Sequence, residues 1–203
     1  MSDTESDGRG DRGLTTHAIR LGEVELALLR PRDPEALIDE DAFEQDEFLP
    51  YWAELWPSAL ALARALPVGL TGQTVVEVGC GLGIPSLIAA ARGAEVTAID
   101  WAAPAIELLR ENAARNGLMV KAQVADWRTF EGTFDVAIAA DVLYERRNVE
   151  PLLELLPKLA PTVILAEPGR PAGNEFLRRG RGLWAIEEIA DRVWRLTPHS
   201  GVQ

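Results

Sequence analysis

Val75-Val76-Glu77-Val78-Gly79-Cys80-Gly81-Leu82-Gly83, with Asp100 twenty-one residues beyond Gly79, decides how this 203-residue chain is read. The apolar run Val75 to Val78 has the length and β-branched content of a buried parallel strand, and Ile84 to Arg92 reads as a helix. The glycines therefore occupy a strand-to-helix turn. Glycine reaches positive φ and carries no Cβ, so Gly79 and Gly81 can turn the chain sharply and bring main-chain N–H groups against a bound molecule. The next strand, Glu95 to Ile99, ends at Asp100, where a carboxylate can accept hydrogen bonds from both hydroxyls of a ribose. A dinucleotide fingerprint would need a third glycine where Ile84 stands, since Gly83 falls one residue early. That weakens a diphosphate ligand and leaves Glu-x-Gly-x-Gly-x-Gly.

Working outward, the pattern alternates. Strands are expected at Thr74 to Val78, Glu95 to Ile99, Met119 to Val124, Phe134 to Ala139 and Thr162 to Ala166, with two later ones near Trp184 to Ile189 and Val193 to Leu196. Helices are expected at Ile84 to Arg92, Pro104 to Asn116, Val149 to Leu159 and Ala172 to Arg179. Elements of this length in this order imply a parallel sheet with helices on both faces and right-handed crossovers. Ligands of such sheets bind outside the carboxyl ends of the strands, where Gly79, Asp100, Asp126 and Asp141 all fall. The last two strands, separated only by Ala190-Asp191-Arg192, read as an antiparallel hairpin at the sheet edge. Upstream, residues 1–13 are polar and expected to be a disordered tail. Ala18 to Leu29 alternates around Gly22-Glu23 as a small β-hairpin, Asp33 to Gln45 is acidic and partly helical, and Ser58 to Leu66 is a helix bounded by Pro57 and Pro67. The domain organisation expected is a tail at 1–13 and one domain at 14–203, divided into an N-terminal hairpin and acidic segment (14–57) and an α/β core (58–203).

Composition narrows the classes. Nearly half the residues are apolar, enough for one core of ordinary size. A net charge of −12 argues against nucleic-acid binding, which relies on Lys and Arg neutralising phosphates. No apolar stretch approaches the ~20 residues of a membrane span, and the acidic N-terminus does not resemble a signal peptide, so a cytoplasmic location without membrane association is expected. The single cysteine, Cys80, cannot form an internal disulfide and reads as a small buried filler in the turn. No metal site is assigned.

The glycine-rich segment resembles motif I of class I S-adenosylmethionine-dependent methyltransferases. Asp141-Val142-Leu143-Tyr144, in the run Ala139 to Glu145, resembles the Asp-x-x-Tyr motif of methyltransferase family 16, a family with many protein-lysine methyltransferases. Pro50-Tyr51-Trp52-Ala53-Glu54-Leu55-Trp56-Pro57-Ser58-Ala59 matches that family's segment upstream of motif I. The nearest flavour is the branch of the electron-transfer-flavoprotein β-subunit lysine methyltransferases and their nicotinamide N-methylase-like relatives. The resemblance covers roughly Leu49 to Gly169. It implies a Rossmann-like doubly wound sheet of about seven strands with an antiparallel last strand, and the final hairpin matches the seventh-strand insertion of that fold. It also implies S-adenosyl-L-methionine as cofactor and S-adenosyl-L-homocysteine as product.

Carried over position by position, Trp56 lies against the cofactor, Gly79, Cys80, Gly81 and Gly83 surround its methionine moiety, and Glu77 suits its cationic end. Asp100 takes the ribose with Trp101 beside it. Asp126 receives the adenine amino group, Trp127 covers the ring, and the Ala140 backbone lies near the cofactor. Asp141 and Tyr144 face the substrate. The run Arg178-Arg179-Gly180-Arg181 has no counterpart in the pattern. The expected acceptor is a lysine amine of a protein; a small amine metabolite is the alternative, and a cofactor-binding protein without transferase activity is disfavoured by Asp141 and Tyr144. Methyl transfer needs a neutral amine positioned about 3 Å from the methyl group. An ammonium cannot attack, and a lone carboxylate would stabilise one, so Asp141 is assigned to binding and aiming the amine and Tyr144 to closing the pocket.

Overall fold

The computed structural model describes residues 13–34, Leu37 and residues 50–199. The expected tail and most of the acidic segment lie outside the described residues. The chain opens with a hairpin of β1 (Leu14–Leu21) and β2 (Val24–Pro31), turning at Gly22-Glu23 and running longer at both ends than the sequence alternation suggested. After a 3₁₀ turn at Tyr51–Ala53 come α1 (Pro57–Ala65), β3 (Thr74–Val78), α2 (Ile84–Ala91), β4 (Glu95–Asp100), α3 (Ala103–Arg115), β5 (Val120–Val124) and β6 (Val136–Ala140). The remainder is α4 (Val149–Leu159), β7 (Thr162–Ala166), α5 (Pro171–Gly180), β8 (Ala185–Ala190) and β9 (Val193–Thr197). Helices α1, α2, α3 and α5 each carry a proline in the first turn, where its missing N–H and fixed φ cost nothing.

The sheet has seven strands in the order β5-β4-β3-β6-β7-β9-β8. The five from β5 to β7 are parallel, and β9 runs antiparallel to both β7 and β8. The final hairpin is therefore at the edge, and its second strand inserts inward so that β8 is outermost, both as expected. Burial explains that order. Val193 and Leu196 of β9 are fully buried, whereas β8 carries Glu187 and Glu188, charges that suit an exposed edge.

Because side chains alternate along a strand, the two faces build two cores. Val75, Val96, Ile138 and Ile164 face α1, α2, α3 and the β1–β2 hairpin; Val76, Ile99, Ala139 and Leu165 face α4 and α5. Asn112 on α3 and Asn116, the residue that caps its C-terminus one turn later, dock the hairpin. Asn112 Oδ1 accepts the Leu29 N–H at 2.7 Å and its Nδ2 donates to the Leu29 carbonyl at 2.9 Å. Asn116 does the same for Ala27, at 2.8 and 3.1 Å. The carboxamides thus stand in for a neighbouring strand and satisfy the free edge of β2.

Chain order runs outward from β3 through β4 to β5, then returns to the other side for β6 and β7. The switch lies between β3 and β6, and such a switch leaves a crevice at the carboxyl ends of the strands.

Candidate active site

That crevice is a cleft of about 370 Å³, the scale of a small-molecule site. Its floor is the β3–α2 turn. Gly79 has φ +67°, and a Cβ there would meet Val142 Cγ1 at 2.9 Å and the Trp127 ring at 3.2 Å, so this glycine keeps the floor open. Gly83 also lines the cleft but has a different reason to be glycine. At φ +72° it caps the start of α2, and a Cβ would sit 2.3 Å from Leu109 Cδ1 on α3.

Two buried carboxylates frame the turn. Asp100, at the end of β4, accepts the Gly81 N–H through Oδ2 and the Ala102 N–H through Oδ1, both at 2.9 Å. Burial raises its pKa although those bonds oppose the shift. A carboxylate offers about four lone-pair sites, so it retains capacity for ribose hydroxyls while staying fixed. Glu77, from β3, accepts the Ser86 N–H at 2.9 Å and the Ser86 hydroxyl at 2.5 Å. Burial pushes its carboxyl up to about 8, against those bonds. Cys80 lies between the two acids and its thiol is pushed well up by burial, so it is no thiolate nucleophile.

Trp101 and Trp127 stand along the wall after β4 and β5, and both line the cleft with Glu77, Cys80, Gly81 and Ala140. Asp126 does not. Arg128 clamps it with Nε at 2.9 Å and Nη2 at 2.6 Å, holding its carboxyl below the usual range, and it lies outside the cleft lining. The expected adenine acid is thus turned toward its own neighbour in sequence, whereas Trp127 stands where a ring face was expected.

The opposite end of the cleft is built on Asp141, one residue past β6. Its backbone takes φ +59°, in the left-handed region that a non-glycine residue enters at a cost, and its N–H donates to the Ala166 carbonyl at 3.0 Å. The side chain is buried and pairs with Arg170 Nη1 at 2.7 Å. Burial raises its carboxyl while Arg170 and Ser58 pull it down. Aromatic rings surround it: Tyr144 packs on Tyr51 with centroids 5.6 Å apart, Tyr51 on Trp56 at 6.1 Å, and Arg170 lies 5.7 Å over the Trp56 ring. The Trp56 indole donates to the Tyr51 carbonyl at 2.8 Å, which fixes the segment before α1 across the cleft mouth.

The structure thus gathers Trp56, Glu77, Gly79, Cys80, Gly81, Gly83, Asp100, Trp101, Trp127, Ala140, Asp141 and Tyr144 around one cleft. Several lining residues had no role assigned from the sequence, and two of them shape the acceptor end. Tyr51 lay inside the quoted Pro50 to Ala59 segment, and Arg170 lies just past the end of β7, a parallel strand end to which the sequence assigned no site residue.

Residues 75–161 match a methyltransferase domain family. Over 154 residues the chain is 33% identical to a protein N-lysine methyltransferase, METTL21A, of Danio rerio, covering 68% of this chain and 70% of that protein. The chain belongs to the class I S-adenosylmethionine-dependent methyltransferases, in the METTL21-like branch. A second relative, the electron transfer flavoprotein beta subunit lysine methyltransferase of Danio rerio, is 31% identical over 155 residues, 71% of this chain and 60% of its own length. Among solved structures, the Thermus thermophilus 16S rRNA N2 G1207 methyltransferase RsmC superimposes with a TM-score of 0.66 at 19% identity, over 92% of this chain and 51% of that one, a likeness of fold. The cofactor of this methyltransferase is S-adenosylmethionine. The open glycine floor and buried acids at two strand ends are the features that fit it: a cradle a Cβ would fill, and carboxylates for a cation and a diol.

Proposed function

We propose that this methyltransferase transfers its methyl group to a lysine side-chain amine of a protein, using residues 14–203 as one catalytic domain. The observation that carries this is the acceptor end of the cleft: a buried carboxylate, Asp141, in a left-handed backbone turn, walled by Tyr51, Trp56 and Tyr144 with Tyr51 and Tyr144 partly open to solvent. An apolar aromatic channel ending in a carboxylate suits an aliphatic stem carrying a terminal amine. Relatives named as protein-lysine methyltransferases support the same acceptor class.

When bound, the cofactor supplies an electrophilic methyl group on a sulfonium. The protein's work is positioning. Glu77 takes the amino-acid ammonium, Asp100 the ribose, Trp101 and Trp127 the adenine faces, and Asp141 aims the incoming amine while Tyr144 narrows the channel.

The test is to incubate the purified protein, methyl-tritiated cofactor and a lysate of the native host, then separate products by size. Label in a protein fraction, recovered as methyl-lysine after acid hydrolysis and reduced about a hundredfold or more by Asp141→Ala, is the expected result. Label confined to the small-molecule fraction would move the assignment to a metabolite amine.

A further inference from the structure

Arg170 stands on the acceptor side of the cleft, and the cofactor cradle has no use for it. Its guanidinium is held between Asp141 and the face of Trp56. The chain goes to some trouble to hold it there. The buried Glu167 carboxylate accepts the N–H groups of Gly169 at 3.1 Å and Arg170 at 2.8 Å through one oxygen. Gly169 turns the chain at φ +98°, and Gly173 leaves room for Glu167, whose Cδ a Cβ would approach to 2.2 Å. Asp141 itself sits at positive φ. Two glycines, a buried acid and a strained aspartate thus meet around a single ion pair.

The chemistry supplies a reason. Lysine amines are protonated at neutral pH, with an unperturbed pKa of about 10.4, and an ammonium has no lone pair to attack with. The groups that face this end of the cleft are mostly acidic. Glu54 and Glu145 line the cleft with Tyr144 and Arg147, Glu167 just past β7 acts on Asp141 from outside the lining, Ser58 reaches Asp141 from α1, and Asp100 and Glu77 stand farther off on the cofactor floor. Left unbalanced, Asp141 in such surroundings would hold an ammonium tightly and keep it unreactive.

We propose that Arg170 is the positioning residue that takes up the charge of Asp141, so that the carboxylate aims the acceptor amine without trapping it as an ammonium. The amine then gives its proton to solvent. Its nitrogen lone pair forms the N–C bond as the C–S bond breaks, and the C–S bonding pair stays on sulfur. The inference rests on the amine-acceptor reading above.

The test uses the full chain and two ligands, S-adenosylhomocysteine and sinefungin, a cofactor analogue that replaces the sulfur with a carbon bearing a primary amine. That amine stands where the acceptor side of the cleft can sense its charge. The readout is the ratio of the two dissociation constants within one protein, by calorimetry from pH 6 to pH 9. In the wild type, sinefungin gains little over S-adenosylhomocysteine at pH 7, and its relative affinity rises with pH as its amine becomes neutral. In Arg170→Met the ratio moves about tenfold or more toward sinefungin and the pH trend reverses, the scale of one close charge pair. Asp141→Asn, which leaves Arg170 unbalanced, moves the ratio the other way.

A general loss of packing weakens both ligands and cancels in the ratio. Should Arg170→Met fail to bind S-adenosylhomocysteine, the Asp141→Asn arm decides. A ratio within twofold of wild type in the deciding variant overturns the proposal. Wild-type protein that binds S-adenosylhomocysteine and favours sinefungin more strongly at low pH overturns it too. Failure of the lysine reading would show separately, as label in small molecules in the lysate experiment.

Discussion

Lowering the pH should weaken cofactor binding by a predictable amount, because Glu77 is buried at the glycine turn with its carboxyl pushed up to about 8. In the free protein at pH 7 this group is mostly protonated. The amino-acid ammonium of the cofactor favours the carboxylate, so the pKa falls in the complex and binding expels a proton. The sign follows: the ligand prefers the deprotonated protein, so affinity is gained as pH rises toward 8 and lost as it falls below. If only the ionised form accepts the ammonium, the competent fraction drops from about one-quarter at pH 7.5 to about one-hundredth at pH 6.0, a loss of roughly 25-fold. The window stops at pH 7.5 because the ligand's own α-amino group begins to deprotonate near pH 8.

The assay is calorimetric titration with S-adenosylhomocysteine across that window, in two buffers of different ionisation enthalpy so that released protons are counted. Methylthioadenosine keeps the adenine and ribose but lacks the amino acid, so its curve isolates Glu77 from Asp100, whose carboxyl is also raised by burial. Glu77→Gln should flatten the S-adenosylhomocysteine curve. A flat wild-type curve, or an equally steep one for methylthioadenosine, would refute the assignment of Glu77 to the ammonium.

Other expectations come from single contacts. Asp100→Ala removes the acceptor of the Gly81 and Ala102 N–H groups as well as the proposed ribose partner, so S-adenosylhomocysteine should bind about tenfold more weakly or worse; unchanged affinity removes Asp100 from the site. Asn112→Ala leaves the buried N–H and carbonyl of Leu29 unpaired and should cost about 2–4 kcal/mol in urea unfolding, with cofactor affinity little changed in what remains folded. Gly83→Ala faces both φ +72° and the Leu109 methyl, and should cost about 1–3 kcal/mol; a neutral result would mean that α3 yields more easily than its packing suggests.

The strands and helices from β3 to α5 were legible to within one or two residues, because each is written locally: β-branched runs for strands, prolines at helix starts, glycines at the turn. The insertion of the last strand was implied by the family resemblance, and the residues carry the same signal. Paired glutamates at Glu187-Glu188 mark an edge, and Val193 to Leu196 mark an interior strand. The dock between β2 and α3 had no such signal, since an asparagine in a helix shows nothing of a backbone edge more than eighty residues away that it will satisfy.

Charges were the least legible feature, and the reason is physical. A glycine at a turn keeps its meaning whatever lies across the cleft, because its role is set by its own backbone. A carboxylate takes its meaning from its partner. Asp126 stood at the expected strand end, but Arg128 two residues on takes its charge, and it lies outside the cleft. Asp141 also stood where expected, but a bare carboxylate there would be an ammonium trap, and only Arg170, delivered from the next strand end, makes it compatible with a nucleophilic amine. The backbone half of this site is therefore readable from one segment of chain, whereas its electrostatic half exists only once β6 and β7 lie side by side.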